Sequence, residues 1–303
     1  VIIGGVAGGM SAATRLRRLD ESAEIIVLER SGHVSYANCG LPYYVGGVIS
    51  DENKLYLQTP DSLHKRFRLD VRVNHEVIDI SSEMKAVIVR DLLSAQKSEI
   101  HFDKLILSPG ATPIVPPIAG IERALTLRTV EDVLRIYEAV EVKPKSAVVI
   151  GGGFIGVEMA ENLVHKGVKT SLIEALPQVL APLDPEMAEL VHQELRKNGI
   201  DLHLANSVKE ITSDEVILSD GSKVSAELVI ASIGVKPDIT LARAAGVEIG
   251  SKGGISVNGF NQTSNPDIYA IGDVAEKNDD LTDSNEENEE SDDFIKEYKD
   301  FII

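Results

Sequence analysis

An apolar strand that runs into a glycine turn and then an amphipathic helix occurs twice in this chain. That repetition constrains the fold more than any other feature. The later copy is the fuller one: Ala147–Ile150 reads as strand, Gly151-Gly152-Gly153-Phe154-Ile155-Gly156 as turn, Val157–Lys166 as helix and Thr170–Glu174 as the next strand. In such a unit the first glycine permits the tight turn and the third lets helix and strand pack closely. The middle glycine, Gly153, lets a pyrophosphate approach the backbone, and the helix start offers it free N–H groups and a positive dipole end. Glu174 closes the following strand, where a carboxylate accepts from ribose hydroxyls and repels a 2′-phosphate. NADH is therefore expected here, with NADPH left open. Gly151, Gly153, Phe154, Ile155, Gly156, Glu158, Glu174 and Gly234 form the expected nicotinamide-nucleotide site.

The earlier copy is less regular. Val1–Ile3 is the strand, Gly4-Gly5-Val6-Ala7-Gly8-Gly9 the turn, Met10–Leu19 the helix and Glu24–Glu29 the next strand. Val6 stands where the middle glycine is expected, which predicts a looser hold on pyrophosphate. Glu29 still ends its strand, a placement that suits the adenosine ribose of FAD. A third segment, Thr263–Asp273, runs as a strand into Gly272-Asp273, where backbone can approach a flavin chain and Asp273 can accept from ribityl hydroxyls. Leu105–Pro113, with Gly110, and Ile230–Pro237, with Gly234, are similar strand-to-glycine turns, one after each nucleotide unit.

These signals predict an α/β protein with two Rossmann-like dinucleotide-binding domains, for FAD and NAD, each a parallel sheet with a small antiparallel layer. Glu76–Ile80, Ala86–Arg90 and Leu105–Leu107 are expected to form the first antiparallel layer. Val208–Ser219 reads as a hairpin around Ser213-Asp214, Leu228–Ile233 as a strand and Gly246–Asn258 as turn-rich. The proline-rich Pro113–Pro117 suggests a crossover, which puts the FAD domain at 1–112 and 246–275 and the NAD domain at 113–245. Residues 276–303 hold twelve Asp and Glu against three Lys, half of the net charge of −18, and are expected to be a disordered acidic tail.

The same charge excludes nucleic-acid binding, which needs clustered Lys and Arg. No apolar run reaches the ~18 residues of a membrane span, and no basic leader precedes the first strand, so a cytoplasmic protein is expected. Val1 opens in mid-strand, which predicts a natural start slightly upstream. The seven histidines have no metal-ligand spacing, and no hydrolase elbow is present, so no metal site is expected.

The single cysteine, Cys39, lies in Ser35-Tyr36-Ala37-Asn38-Cys39-Gly40-Leu41-Pro42-Tyr43-Tyr44. A lone cysteine is ordinarily a small buried hydrophobe. Here polar Ser35 and Asn38 precede it, and Pro42 marks the first turn of a helix. A thiol at a helix start is activated by the free amides and dipole, so Cys39 is the expected redox centre. Arg15, Arg17 and Arg18, with Lys65, Arg66 and Arg68, are either a solvated face or a site for a phosphorylated substrate.

Taken together, Gly4–Ala13, Ser35–Pro42, Leu107–Pro113, Gly151–Glu158 and Thr263–Asp273 resemble the pyridine nucleotide-disulfide oxidoreductases that use one cysteine. The resemblance is nearest to the coenzyme A-disulfide reductase and persulfide reductase branch, with NADH oxidases and peroxidases as cousins. In that family a residue such as Val6 is tolerated. The resemblance implies FAD contacts at Gly4, Val6, Ala7, Gly8, Gly9, Glu29, Arg30, Asn38, Val77, Gly110, Gly272 and Asp273. It implies that Cys39 is the redox cysteine and that Ser11, Arg15, Arg18, Ser35, Asn38 and Arg66 line a coenzyme A-linked disulfide or thiol site. Phe67 stands where some relatives have a basic contact. NADH oxidase or peroxidase chemistry through a Cys39 sulfenic acid, and a non-catalytic flavoprotein, are the alternatives. The resemblance implies homodimers formed through a C-terminal domain, in whose place the acidic tail is expected to stand.

Overall fold

A computed structural model describes residues 1–277. The chain divides into two compact units. The first comprises Val1–Val34, Thr59–Gly110 and the described chain from Pro237 to Lys277; the second comprises Ser35–Gln58 and Ala111–Lys236. The cysteine segment, expected with the first domain, thus groups with the second unit, and residues 237–245 group with the first.

Each unit is built on a five-stranded parallel sheet. In the first the order is Ile268–Ala270, Leu105–Leu107, Ile2–Ile3, Ile26–Leu28, Asp70–Arg72. In the second it is Leu125–Thr126, Leu228–Ala231, Ser146–Ile150, Lys169–Ile173, Asp201–His203. The central strands Ile2–Ile3 and Ser146–Ile150 are buried throughout because both faces are covered. Ile2 and Val27 pack with Met10, Ala13 and Leu63 on the helical side. Their neighbours Ile3, Ile26 and Leu28 turn the other way, onto Val77, Val87 and Val89 of an antiparallel layer. In the second unit Val148 and Ile150 likewise meet Val208, Val216 and Leu218. Each fully buried side chain of this kind contributes about 1.5–3 kcal/mol.

The antiparallel layers are His75–Ser81, Ala86–Asp91, Lys97–His101 in the first unit and Val208–Ile211, Glu215–Leu218, Lys223–Ser225 in the second. Leu105–Leu107 was expected in the first of these layers and instead lies in the parallel sheet, between Ile2–Ile3 and Ile268–Ala270. A continuous apolar run belongs to a strand covered on both sides, not to an alternating outer layer. The true third strand, Lys97–His101, is almost wholly exposed and so carries no apolar signal.

Both turn helices start earlier than expected, at Ala7 and Phe154, because the glycines of their first turns are helical. The ordered chain also continues past the expected boundary at 275. Ala275–Lys277 pairs in parallel with Ile255–Val257. The Glu276 carboxylate accepts from the N–H groups of Lys252 (2.8 Å) and Gly254 (2.9 Å), which holds its own carboxyl below the usual range. The acidic-tail expectation for the remainder falls outside the described residues. Among the described residues no helix is long and apolar enough to cross a membrane.

Candidate nucleotide cradles and the cysteine turn

The two glycine turns correspond residue for residue. Gly4 and Gly151 have φ of +101° and +104°, a region that disfavours side chains. A methyl group at Gly9 would come within 1.8 Å of the Gly4 carbonyl oxygen, and one at Gly156 within 1.9 Å of that of Gly151. These four glycines are therefore demanded by the protein's own backbone. Gly153 is different: a methyl group there meets nothing within 4 Å. Its side faces open space, so any need for glycine comes from what occupies that space.

The acids at the strand ends also correspond. The Glu29 carboxylate accepts from Gly5 N–H (2.8 Å) and Ser31 N–H (2.8 Å), and Glu174 accepts from Gly152 N–H (2.5 Å) and Leu176 N–H (2.7 Å). One oxygen of each carboxylate thus braces the glycine turn and the other braces the chain beyond it. A carboxylate has about four lone-pair sites, so each acid keeps capacity for ribose hydroxyls.

The helix starts fit the same reading. Helices Pro60–Phe67 and Val130–Glu141 open with full capping boxes, from Thr59 with Ser62 and from Thr129 with Asp132. Helices Ala7–Leu19 and Phe154–His165 open with no side-chain cap and no acid in their first turns. Their free N–H groups and positive dipole ends suit an anionic pyrophosphate, and the residues present fit a dinucleotide in each unit.

Partners not singled out by the sequence complete each turn. The Ser108 carbonyl oxygen lies 2.0 Å from a methyl group placed on Gly4, and that of Ser232 lies 2.4 Å from one on Gly151. Val34 and Val179, each the same number of residues after its acid, cover Gly5 and Gly152. The repeated Ser-x-Gly of Ser108-Pro109-Gly110 and Ser232-Ile233-Gly234 was a usable signal. In the first unit the Ser108 hydroxyl also approaches the Gly8 and Gly272 positions, so three glycine turns meet at one end of the sheet. Asp273 follows, exposed, in the one-turn helix Gly272–Val274, whose Val274 is buried. Arg30 is exposed and pairs with Asp238 at 3.6 Å. The Val77 side chain belongs to the core, so only its backbone is available to a ligand.

In the second unit, Cys39 is exposed on the single turn Asn38–Gly40, which leads into the five-residue helix Leu41–Val45. That helix has only five residues, and its dipole is correspondingly small. The turn is held on both sides. Ala37 N–H donates to the Leu55 carbonyl (2.9 Å), Tyr36 pairs with Tyr56, and Ser35 sits at φ +47°. Beneath it Leu41 and Leu55 are buried, and Tyr44 stacks on Tyr137 with ring centroids 4.8 Å apart. The Asn38 side-chain oxygen is buried without a hydrogen-bond partner, an acceptor left beside the thiol.

The basic residues of the first unit separate into two kinds. Arg17 is buried and braces the loop after its helix, donating to the carbonyls of Phe67, Arg68, Asp20 and Glu21. Arg68 reaches Glu21, and Lys65 pairs with Asp61. Ser11, Arg18 and Arg66 are exposed, Arg66 lying over the Phe67 ring at 5.1 Å, and Arg15 is half-buried with an unpaired Nε. Ser11, Arg15, Arg18 and Arg66 therefore remain available to a ligand, whereas Arg17, Lys65 and Arg68 are engaged in structure.

The family model described as pyridine nucleotide-disulphide oxidoreductase matches residues 1–289. Over 275 residues the chain is 34% identical to the coenzyme A disulfide reductase of Staphylococcus epidermidis, covering 90% of this chain and 63% of that protein. It is 35% identical over 289 residues to the NADH oxidase of Methanocaldococcus jannaschii, covering 93% and 64%. The crystal structure of reduced Bacillus anthracis CoADR-RHD aligns with a TM-score of 0.89 at 47% identity, over 90% of this chain and 50% of that one. The chain thus spans somewhat under two thirds of these curated relatives. With its two glycine turns, their paired acids and its single cysteine, it belongs to the pyridine nucleotide-disulphide oxidoreductase family.

Proposed function

We propose that this chain is an FAD-dependent NADH:disulfide oxidoreductase whose redox centre is Cys39, acting on coenzyme A disulfide or a related persulfide. The observation that carries the reading is the pairing of two dinucleotide cradles with one exposed, unpaired thiol. Glu29 and the Gly4–Gly9 turn would hold FAD, with Gly110, Gly272 and Asp273. Glu174 and the Gly151–Gly156 turn would hold NADH. A bound flavin supplies a two-electron relay between reduced nicotinamide and sulfur.

The chain's own part in the chemistry is thiol–disulfide exchange. The Cys39 thiolate attacks R–S–S–R′, forming Cys39–S–S–R and releasing R′–S⁻. Two electrons and one proton then return Cys39 to the thiolate and release R–SH. With one cysteine no internal disulfide can form, so the oxidised state is a mixed disulfide, a persulfide or a sulfenic acid. Arg15, Arg18 and Arg66 would attract the phosphates of a coenzyme A-linked substrate, and Ser11, Ser35 and Asn38 would donate and accept around it. A reducing cytoplasm is the setting in which a lone exposed thiol persists.

The identity to a protein named NADH oxidase favours one further reading, in which Cys39 cycles through sulfenic acid with peroxide or oxygen as acceptor. NADH consumption measured with coenzyme A disulfide, hydrogen peroxide and oxygen decides between them. Turnover dependent on coenzyme A disulfide, with mass spectrometry finding coenzyme A on Cys39, supports the reductase. Turnover with peroxide alone sinks it.

A further inference from the structure

In the second unit, the chain between strand Lys169–Ile173 and helix Pro185–Lys197 sets out from Glu174, the acid proposed for the nucleotide ribose. Its near half is tied to the neighbouring strand's exit. Ala205 N–H donates to the Leu176 carbonyl (2.9 Å), and Asn206 N–H donates to that of Glu174 (3.1 Å). Its far half folds back over the glycine turn. Leu180 N–H donates to the Gly152 carbonyl (2.8 Å), and the Val179 side chain covers Gly152. Leu180 turns the chain there at φ +49°, a conformation that a side chain disfavours and the surroundings must hold. Between Ile173 and Ala188 the one buried residue is Val179. The far half therefore has a single anchor in the core.

That anchor ends on a buried histidine. Val179 N–H donates to His192 Nε2 at 3.2 Å, and His192 is only 4% exposed. A ring nitrogen that accepts carries no proton, so the proton of the neutral ring is on Nδ1. Nδ1 lies 3.0 Å from the Glu189 carboxylate, one helical turn back, and donates to it. This hydrogen bond comes first among the influences that hold the Glu189 carboxyl below its usual range. Glu189 thus fixes the tautomer, and the tautomer presents an acceptor to Val179. His192 shares its core-facing stripe with Ala188 and Leu195, where an apolar side chain would suit packing alone.

We propose that His192 is a positioning residue for nicotinamide-nucleotide binding: by accepting from Val179 N–H it fixes residues 175–180 where the adenosine end of NADH would lie. This rests on the reading of the Gly151–Gly156 turn as the NADH site. In a unit of that kind the acid after the second strand accepts from the adenosine ribose, so the chain that continues from it borders the adenosine. The links are continuous: His192 to Val179, Val179 and Leu180 to Gly152, and Gly152 N–H to the Glu174 carboxylate (2.5 Å). Without the acceptor, a buried N–H is left unsatisfied, and the segment relieves this by moving toward water.

The test uses the FAD-loaded protein as wild type, His192→Gln, His192→Asn and His192→Leu, with melting curves to confirm folding. A glutamine amide oxygen reaches as far as Nε2 and can accept from Val179 N–H, whereas asparagine is too short and leucine has no acceptor. NADH and ADP-ribose affinities are read by fluorescence, and exchange of the Val179 amide is followed without nucleotide. His192→Asn and His192→Leu should each lose about three- to tenfold in both affinities, in line with one hydrogen bond, and their Val179 amide should exchange faster. His192→Gln should stay within about twofold of wild type. In turnover, KM for NADH should rise in the asparagine and leucine variants, while kcat and KM for the disulfide hold. If leucine prevents folding, the asparagine and glutamine pair carries the test. Unchanged NADH affinity in His192→Asn overturns the proposal, and so does an equal loss in His192→Gln, which would reduce His192 to ring packing. A wild type that binds neither NADH nor ADP-ribose overturns the nucleotide-site reading and the proposal with it. Failure of the anchor alone leaves wild-type binding intact, so the two failures are distinguishable.

Discussion

The two glycine turns share their backbone and differ in what they offer a ligand. Gly4 matches Gly151, Gly9 matches Gly156, Glu29 matches Glu174, and Ser108 matches Ser232, each pair in the same contact. The differences include Val6 against Gly153, Ala7 against Phe154, Gly8 against Ile155 and Ser11 against Glu158. Shared positions are those where a side chain would collide with the turn itself or where a carboxylate braces it. Of the divergent positions, Gly153 faces open space and Ser11 is exposed, whereas a methyl group on Gly8 would come within 2.7 Å of the Ser108 hydroxyl. The fold thus fixes the shared set of residues.

The most severe way to probe this division is Gly9→Ala or Gly156→Ala. Each forces a methyl group onto a carbonyl oxygen of the preceding turn, so each should cost at least about 4 kcal/mol. Calorimetry should show Tm falling by about 10 °C or more in both, and similar losses in the two variants would confirm the structural equivalence. Next come Glu29→Ala and Glu174→Ala, which leave two N–H groups without acceptors. Each orphaned buried donor costs about 1–3 kcal/mol, and Glu29→Ala should be the worse, because Glu29 is only 8% exposed while Glu174 is half-buried. Denaturant unfolding of both variants checks the order.

Gly153→Ala breaks the symmetry in the opposite sense. Its φ of −72° suits alanine and its surroundings are empty, so stability should stay within about 0.5 kcal/mol of wild type. NADH affinity should nevertheless drop by about tenfold or more, a loss of about 1.4 kcal/mol in binding. Equal affinity would show that the open space is not where the pyrophosphate sits. The smallest effect is expected from Glu158→Gln. Its carboxyl is raised by burial and by Glu161, so the ionised form is disfavoured in the fold. That penalty is absent below the ordinary carboxyl range and complete above the raised value. Thermal melts should show Glu158→Gln slightly more stable than wild type near about pH 7, with the gain vanishing near about pH 4.

Much of this arrangement was legible in the sequence because glycine has few reasons to recur at fixed spacing. Gly4, Gly9, Gly151 and Gly156 announced both turns, and Glu29 and Glu174 announced the strand ends. Val6, which suggested a weaker first turn, stands directly before the helix Ala7–Leu19, as Gly153 stands before Phe154–His165. Other features were hidden for physical reasons. Lys97–His101 carries no apolar periodicity, since a solvated outer strand needs none. Arg17 and Arg18 look alike in sequence, yet one is buried against four carbonyls and the other is exposed, a difference set by residues 67 and 68 far along the chain. The grouping of Ser35–Gln58 with the second unit was invisible because it depends on Tyr44 stacking on Tyr137 and on Gly46 fitting against Asn162.

The central claim, that both cradles serve one exposed cysteine, is tested most directly by anaerobic titration of the FAD-loaded protein. NADH is added first and coenzyme A disulfide second, in wild type and in Cys39→Ser, while flavin absorbance is followed. The account predicts bleaching by NADH in both proteins, and recovery of colour on adding the disulfide in wild type alone. Bleaching that fails in wild type, or colour that returns equally in Cys39→Ser, would contradict it.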